Sequence, residues 1–177
     1  RARKTRTKSF NAFSSIDYPE TAMFRDRRLI QFLQRPAEYT HAVFSTALDP
    51  NVFVLRLVPG MRADIIPLLE GRYRALVLES FGVGGLPGGD DGAMFAAVRD
   101  WCGAGHLAVF TTQVPHEGSD LAVYEVGRAA KALPGVLEAH DMTPEATAVK
   151  LMWVLGQTTD RAEAEKLFLT PVQWDIL

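Results

Sequence analysis

Lys4 is the residue near the start of the chain whose type and surroundings could support proton-transfer chemistry. Arg3 and Arg6 lie beside it along the chain, and Thr5 follows it directly. Neighbouring cations disfavour a charged ammonium, and a neutral amine can accept a proton from a reacting group. Lys4 is therefore a candidate general base, and the alternative is an ordinary solvated lysine.

Basic side chains are concentrated around this lysine, as in the arm of a nucleic-acid-binding protein. Residues 1–36 carry nine basic and three acidic side chains, whereas the rest of the chain carries ten basic and eighteen acidic ones. A nucleic-acid arm needs a basic face beside it, and none accompanies the cluster. We therefore expect a solvated strand or loop and no nucleic-acid partner.

The histidines and the cysteine form no recognised catalytic or metal-binding pattern. None of His41, His106, His116 and His140 has a cysteine or a second histidine at ligand spacing, so we expect no metal ion. Cys102 lies on the apolar face of a predicted helix, which favours a core position over a nucleophile. No Gly-x-Ser-x-Gly elbow occurs.

Residues 80–92 form a loop that holds six of the fourteen glycines and follows a predicted strand. A strand, a glycine-rich loop and a helix in this order can cradle a phosphate. Here Pro87 replaces the third glycine of that pattern, no Gly-Lys-Ser/Thr follows, and Asp90 and Asp91 would repel a phosphate. The loop is either a structural turn or a surface that approaches a ligand or another subunit closely.

The overall composition is typical of a globular protein. The chain has 177 residues, of which 47% are apolar and 23% charged, enough to bury one core and to exclude global disorder. No apolar run approaches the roughly 20 residues of a membrane span. With one cysteine and no signal-peptide pattern, the sequence predicts a cytoplasmic protein without intrachain disulfides or membrane partners.

The elements that must position these residues alternate between strands and helices. Apolar runs predict strands at residues 52–58, 75–80, 107–112 and 136–138, and apolar periodicity predicts helices near 64–71, 94–102, 123–130, 144–155 and 161–168. Residues 9–40 show no lasting period and predict an irregular linker, with a short strand near 29–32. The fold class is therefore α/β, a small doubly wound parallel sheet of about four strands flanked by helices. Ligands of such sheets bind outside the carboxyl ends of the strands.

Several segments, in this order, carry a family resemblance: Lys4 with Ser9-Phe10-Asn11-Ala12-Phe13-Ser14-Ser15, Glu79-Ser80-Phe81-Gly82-Val83-Gly84-Gly85-Leu86-Pro87, Thr112-Gln113, Tyr124-Glu125-Val126-Gly127-Arg128-Ala129, and Asp141-Met142-Thr143-Pro144-Glu145-Ala146 with Lys150-Leu151. Together they resemble the L-asparaginase family, bacterial type I (cytoplasmic) branch. The resemblance covers nearly the whole chain and corresponds to the C-terminal half of such an enzyme. It implies hydrolysis of L-asparagine to L-aspartate and ammonia, without a cofactor, in a homodimer or homotetramer.

The resemblance also implies roles for individual residues. In this family a threonine nucleophile forms an acyl-enzyme, and a second threonine, an aspartate and a lysine assist proton transfer. Lys4 falls at the position of that catalytic lysine. Tyr124 falls where type I enzymes place a tyrosine that reaches the substrate pocket of a neighbouring subunit, the alternative being a helix residue packed at the domain surface. Gly85 stands where the family commonly has asparagine, so any substrate contact there must come from backbone or water.

The chain departs from the family in two further ways. Some bacterial type I enzymes are regulated by asparagine at a site lined by a basic residue just before the serine of this strand, and this position is Glu79, so the resemblance does not extend to that regulation. The family's Gly-Gly-Thr and His-Gly-Thr-Asp segments do not occur in these residues. We therefore expect a truncated chain, inactive alone, with the nucleophile elsewhere.

Under this hypothesis, residues 1–49 are the end of the N-terminal catalytic domain and the inter-domain linker, and residues 50–177 are the C-terminal α/β domain. The alternative hypothesis is a stand-alone α/β ligand-binding or interaction module without hydrolytic activity.

Overall fold

A computed structural model gives the fold and describes residues 2–33, 43–87, 92–172 and 174–176. Two β-hairpins come first, and an α/β unit built on a parallel sheet follows. His41, Asp90 and Asp91, which the sequence analysis singled out, lie outside the described residues. Within the described part of the chain, no helix is both long and apolar enough to cross a membrane.

The two hairpins occupy most of the segment for which a linker is predicted. Each consists of two antiparallel strands: β1 (Ala2–Lys4) with β2 (Phe13–Ser15), and β3 (Ala22–Arg25) with β4 (Arg28–Gln31). The prediction of an irregular linker is wrong here, because strands of three or four residues are too short to show a period in the sequence. Only the strand predicted near 29–32 is confirmed, as β4.

A tight turn closes the second hairpin. Asp26 and Arg27 connect β3 to β4 and have positive φ values of 49° and 61°. Two consecutive residues with positive φ are what a two-residue hairpin turn requires, and the turn residues Asn, Asp and Gly usually supply them. Since Arg27 is not one of these, the turn was not visible in the sequence.

The sheet consists of four parallel strands: β5 (Val52–Arg56), β6 (Ala75–Ser80), β7 (Leu107–Thr112) and β8 (Val136–Glu138). The strands are adjacent in the order in which the chain makes them. The strands β6 and β7 lie in the middle, and their residues are almost all buried. These four strands confirm the predicted four-stranded parallel sheet.

Helices cover both faces of the sheet. One apolar cluster lies under α1 (Ala93–Gly103), α2 (Glu125–Lys131) and two short 3₁₀ turns at Ala63–Ile65 and Pro67–Leu69, and the other lies under α3 (Pro144–Gln157) and α4 (Arg161–Leu169). The second face is covered by helices that follow the last strand, and no reversal of strand order is needed. An α-helix is absent at 64–71 because Pro67 has no N–H to donate.

Local signals in the sequence determine where α3 begins. The Thr143 hydroxyl accepts a hydrogen bond from Ala146 N at 3.2 Å, Pro144 occupies the first helical position, and Glu145 lies in the first turn. Thr143 thus satisfies a free backbone donor, and Pro144 occupies a position where no N–H is needed. Glu145 places a negative charge at the positive end of the helix dipole. The predicted start of this helix is confirmed.

An ion pair anchors the chain just before the sheet begins. Arg74 Nη1 lies 2.8 Å from Asp49 Oδ2 and also donates to Leu155 O at 3.0 Å. Burial raises the pKa of Asp49, but hydrogen bonds from Arg74 and Asn51 outweigh that effect and hold the pKa below its ordinary value. The carboxylate therefore stays charged and fixes the junction between the hairpins and β5.

Candidate active site

The candidate catalytic lysine is carried by the first hairpin. Lys4 is the last residue of β1, where it pairs with Phe13 of β2, and its side chain is exposed. The next residue, Thr5, donates its N–H to Ala12 O at 2.8 Å and continues the pairing. The hairpin thus presents Lys4 on its surface without burying it.

The hairpin lies against the edge of the sheet where the strands end. Arg3 Nη2 donates to Glu145 Oε1 at 3.0 Å, and Glu117 N donates to Asp17 Oδ1 at 3.4 Å. A cavity of about 20 Å³, enough for one water molecule, remains between the hairpin and this edge, and Thr112 is among the residues that line it. The carboxyl edge, where ligands of such sheets are expected, is therefore next to the element that carries Lys4.

The described part of the glycine-rich loop is a closed turn. Phe81 and Gly85 exchange two backbone hydrogen bonds, of 2.9 Å and 2.7 Å, and Thr112 Oγ1 donates to Gly82 O. A Cβ atom at Gly85 would lie only 3.2 Å from Phe81 O, so even the asparagine common in the family would force a small shift. Both backbone polar groups of Gly85 already have partners, so a substrate contact at Gly85 would have to share one of them.

Tyr124 lies at the N-terminus of α2 and packs on this loop. Its hydroxyl is 3.7 Å from the position that a Cβ atom of Gly82 would occupy. The side chain is half exposed, as are those of the neighbouring Val123 and Val126. The fold thus brings Tyr124 together with the loop that contains Gly85, whereas Lys4 sits on the separate hairpin.

Glu79 has a structural partner within the sheet. Its carboxylate lies 3.5 Å from Arg56 Nη1 on the neighbouring strand, and its side chain is only 14% exposed. Gln113 Nε2 donates to the carbonyl oxygen of Glu79 at 2.8 Å and to that of Leu57 at 2.6 Å. The Glu79 carboxylate is therefore paired with Arg56 within the sheet, and the expectation about asparagine regulation stays a prediction.

Cys102, His106 and His140 have structural surroundings. Cys102 is buried, as predicted, and burial raises its thiol pKa to about 11, which makes it a poor nucleophile. His106 stacks on Trp101 at 4.3 Å between ring centroids, and His140 Nδ1 lies 3.7 Å from Glu138 Oε2. Within the described residues, no group of three or more His, Cys, Asp or Glu side chains is arranged to hold a metal ion.

Sequence reasoning did not identify the residues that dock the hairpin. Arg3 and Glu145 are 142 positions apart, and neither belongs to a local motif for an ion pair. Asp17 and Glu117 are 100 positions apart. Glu117 and Glu145 each follow a predicted strand, at the carboxyl edge where ligands of such sheets bind, and this position marks the region but not the partner.

Comparisons with known proteins find relatives that share this domain. A family model described as the glutaminase/asparaginase C-terminal domain matches residues 51–168. Over 168 residues the chain is 38% identical to an L-asparaginase of Thermococcus kodakarensis, covering 94% of this chain and 50% of that protein. It is 33% identical over 176 residues to a glutamyl-tRNA(Gln) amidotransferase subunit of Metallosphaera sedula, covering 96% of this chain and 38% of that protein.

The structure gives the same result. It superimposes on the thermostable L-asparaginase from Thermococcus kodakarensis with a TM-score of 0.91 at 35% identity, over 100% of this chain and 53% of that one. The likeness includes the hairpins as well as the sheet, because it covers the whole chain. The chain spans half or less of the length of these two curated relatives.

Proposed function

Since the chain belongs to the glutaminase/asparaginase C-terminal domain family, we propose that it is the C-terminal portion of an L-asparaginase that hydrolyses L-asparagine to L-aspartate and ammonia. The observation that carries the proposal is the likeness to an L-asparaginase over the entire chain, hairpins included. Residues 1–49 would be the end of the N-terminal catalytic domain and the linker to the α/β domain of residues 50–177. The threonine nucleophile would lie outside these residues.

In the proposed mechanism Lys4 assists proton transfer. The threonine oxygen attacks the side-chain amide carbon, the amide nitrogen leaves as ammonia with the threonine's proton, and water then releases aspartate from the acyl-enzyme. An exposed lysine at the end of a docked strand can project into a site formed by a neighbouring domain and help to carry that proton. The reaction needs no cofactor.

The remaining site residues would act between subunits. Tyr124 is exposed beside Val123 and Val126, which supports a contact between this face and the substrate pocket of another subunit. Gly85 would contribute a backbone or water-mediated contact from the adjoining loop. The protein would work in the cytoplasm as a homodimer or homotetramer, with neither a nucleic acid nor a membrane as partner.

A second candidate comes from the likeness to the glutamyl-tRNA(Gln) amidotransferase subunit of Metallosphaera sedula, at 33% identity over 96% of this chain. The chain would then belong to a protein whose amide chemistry serves a glutamyl-tRNA(Gln) amidotransferase. Ammonia release from L-asparagine without tRNA supports the first candidate, whereas release that depends on glutamyl-tRNA(Gln) supports the second.

The experiment measures ammonia release from L-asparagine by the enzyme in which this chain is joined to both threonine segments. Lys4→Met should lower kcat about 10²- to 10⁴-fold, the usual contribution of a proton-transfer group. Lys8→Met removes another exposed cation from the same hairpin and should leave kcat unchanged. Equal activity of the Lys4→Met and unsubstituted enzymes would remove Lys4 from the mechanism, and activity of the 177-residue chain alone would contradict the location of the nucleophile.

A further inference from the structure

An ion pair fixes the backbone one residue away from Lys4. Arg3 precedes Lys4 in β1, and its guanidinium donates to Glu145 Oε1 at 3.0 Å. The side chains of Arg3 and Glu145 are 29% and 60% exposed, and Glu145 lies in the first turn of α3, which is packed on the sheet. A helix of the α/β unit therefore contacts the strand that carries the lysine.

Two further contacts hold the chain where it leaves β2. Asp17 Oδ1 accepts a hydrogen bond from Glu117 N, and the next residue, Tyr18, stacks on Trp174 with ring centroids 6.5 Å apart and planes 25° apart. Both residues follow β2, the strand that pairs with β1. The hairpin is thus held on its incoming and on its outgoing strand.

The segment that carries Trp174 is itself firmly anchored. The buried Lys150 lies 2.8 Å from Asp175 Oδ2 and donates to Thr170 O at 2.9 Å. Ile176 is 4% exposed and packs into the apolar cluster under α3 and α4. Thr170 on one side of Trp174, and Asp175 and Ile176 on the other, are therefore held in place, and Trp174 offers the hairpin a stable surface.

We propose that Glu145 and Trp174 are positioning residues for Lys4, so that the α/β domain and its C-terminal segment orient the proton-transfer lysine. The inference rests on the proposed function of Lys4. Both contacts act on the strands around Lys4, since the Glu145 contact lies on β1 and the Trp174 contact lies just after β2, and each of these strands has only three residues. Small errors in the position of a catalytic group lower the rate strongly.

A positioning role predicts a specific kinetic change. Neither Glu145 nor Trp174 touches the substrate in this proposal, and Lys4 moves protons without binding the substrate. Loss of either contact should therefore lower kcat and leave KM nearly unchanged, which is the pattern of an interaction that matters in the transition state. A residue that only stabilises the fold would lower the melting temperature without this change in kcat.

The test uses the enzyme in which this chain is joined to both threonine segments. Glu145→Ala and Trp174→Ala should each lower kcat for L-asparagine about two- to fivefold, with KM within about twofold. Glu145→Gln keeps a hydrogen-bond acceptor for Arg3 and should lose less. Glu163→Ala is the matched control, because Glu163 is also an exposed acid in the first turn of a helix, α4, but contacts Thr158 and not the hairpin.

A second readout does not depend on activity. In the 177-residue chain, Glu145→Ala should speed amide hydrogen exchange at Thr5, whose N–H donates to Ala12 O, by about two- to fivefold. Exchange at Val109 in β7 should be unchanged. Unchanged exchange at Thr5 in both alanine variants would overturn the inference, as would unchanged kcat in an enzyme that Lys4→Met inactivates. If Lys4→Met remains active, or the enzyme releases no ammonia from L-asparagine, it is the proposed function that fails.

Discussion

The first hairpin and the central strands of the sheet are stabilised in opposite ways. Phe13 in β2 is 64% exposed, whereas Phe110 in β7 is fully buried. Each hairpin strand has one partner strand among the described residues, whereas β7 pairs on both edges and is covered on both faces. Among the described residues the candidate catalytic residue therefore lies on a weakly held element, and most of the folding free energy of the 177-residue chain comes from the sheet.

This difference implies that stability and activity can be changed separately. Buried apolar area contributes about 25 cal/mol per Å², so the sheet dominates the free energy of unfolding. The hairpin depends on an exposed ion pair and a few polar and aromatic contacts, which contribute little to stability but determine where Lys4 lies. Substitutions in the two regions should consequently affect different measurements.

The largest expected effect is on the free energy of unfolding of the 177-residue chain. Phe110→Ala should lower it by about 3–5 kcal/mol, because the substitution leaves a cavity between β7 and the helices. Phe13→Ala, the matched substitution in the hairpin, should change it by less than about 0.5 kcal/mol. Urea unfolding followed by circular dichroism measures both, and similar losses would show that the hairpin is part of the cooperative core.

The next largest effect is expected in α2, the helix that begins directly after Tyr124. A Cβ atom at Gly127 in α2 would lie 2.5 Å from Leu121 O, so Gly127→Ala should destabilise the chain by about 2 kcal/mol. Gly103 at the end of α1 has no atom within 4 Å of such a Cβ, and Gly103→Ala should stabilise the chain by about 0.5–1 kcal/mol. Urea unfolding again provides the measurement. If Gly127→Ala did not destabilise the chain, α2 would not be packed closely on Leu121.

The sequence predicted the sheet well because burial leaves a strong local pattern. Residues 75–80 and 107–112 are almost continuous apolar runs, as expected for parallel strands covered on both faces, and both are confirmed as strands. The start of α3 was equally clear, since Thr143, Pro144 and Glu145 each have a preferred position at a helix N-terminus. The family resemblance, which rested on short motifs in order, is confirmed as well.

The hairpins and their contacts were not predictable for the same physical reason. Exposed strands of three or four residues carry no apolar alternation, and an ion pair such as Arg3 with Glu145 joins residues far apart in the chain. Lys4 was a candidate from its cationic neighbours in the sequence, and the resemblance placed it at the position of a catalytic lysine. Its role, like those of Tyr124 and Gly85, stays a prediction.

The smallest expected effect is a change in stability with pH. Cys102, which is buried in the apolar cluster between α1 and the sheet, is the group that should cause it. Burial raises its thiol pKa from 9.0 to about 11 in the folded chain. Between these values the unfolded chain has lost a proton that the folded chain still binds, so stability should fall as pH rises through this window. The loss from this group should be about 1 kcal/mol between pH 8 and pH 10.

Urea unfolding of the chain at pH 8 and pH 10 measures this loss, and Cys102→Ala isolates it from other groups that titrate in the same range. The difference between the two pH values should be about 1 kcal/mol smaller in Cys102→Ala than in the unsubstituted chain. Glu145→Ala, which loosens only the hairpin, should leave the difference unchanged. An equal pH dependence with and without Cys102 would show that the helix α1 opens to solvent without unfolding of the sheet. The difference in stability between the sheet and the hairpin would then be smaller than the burial of their residues indicates.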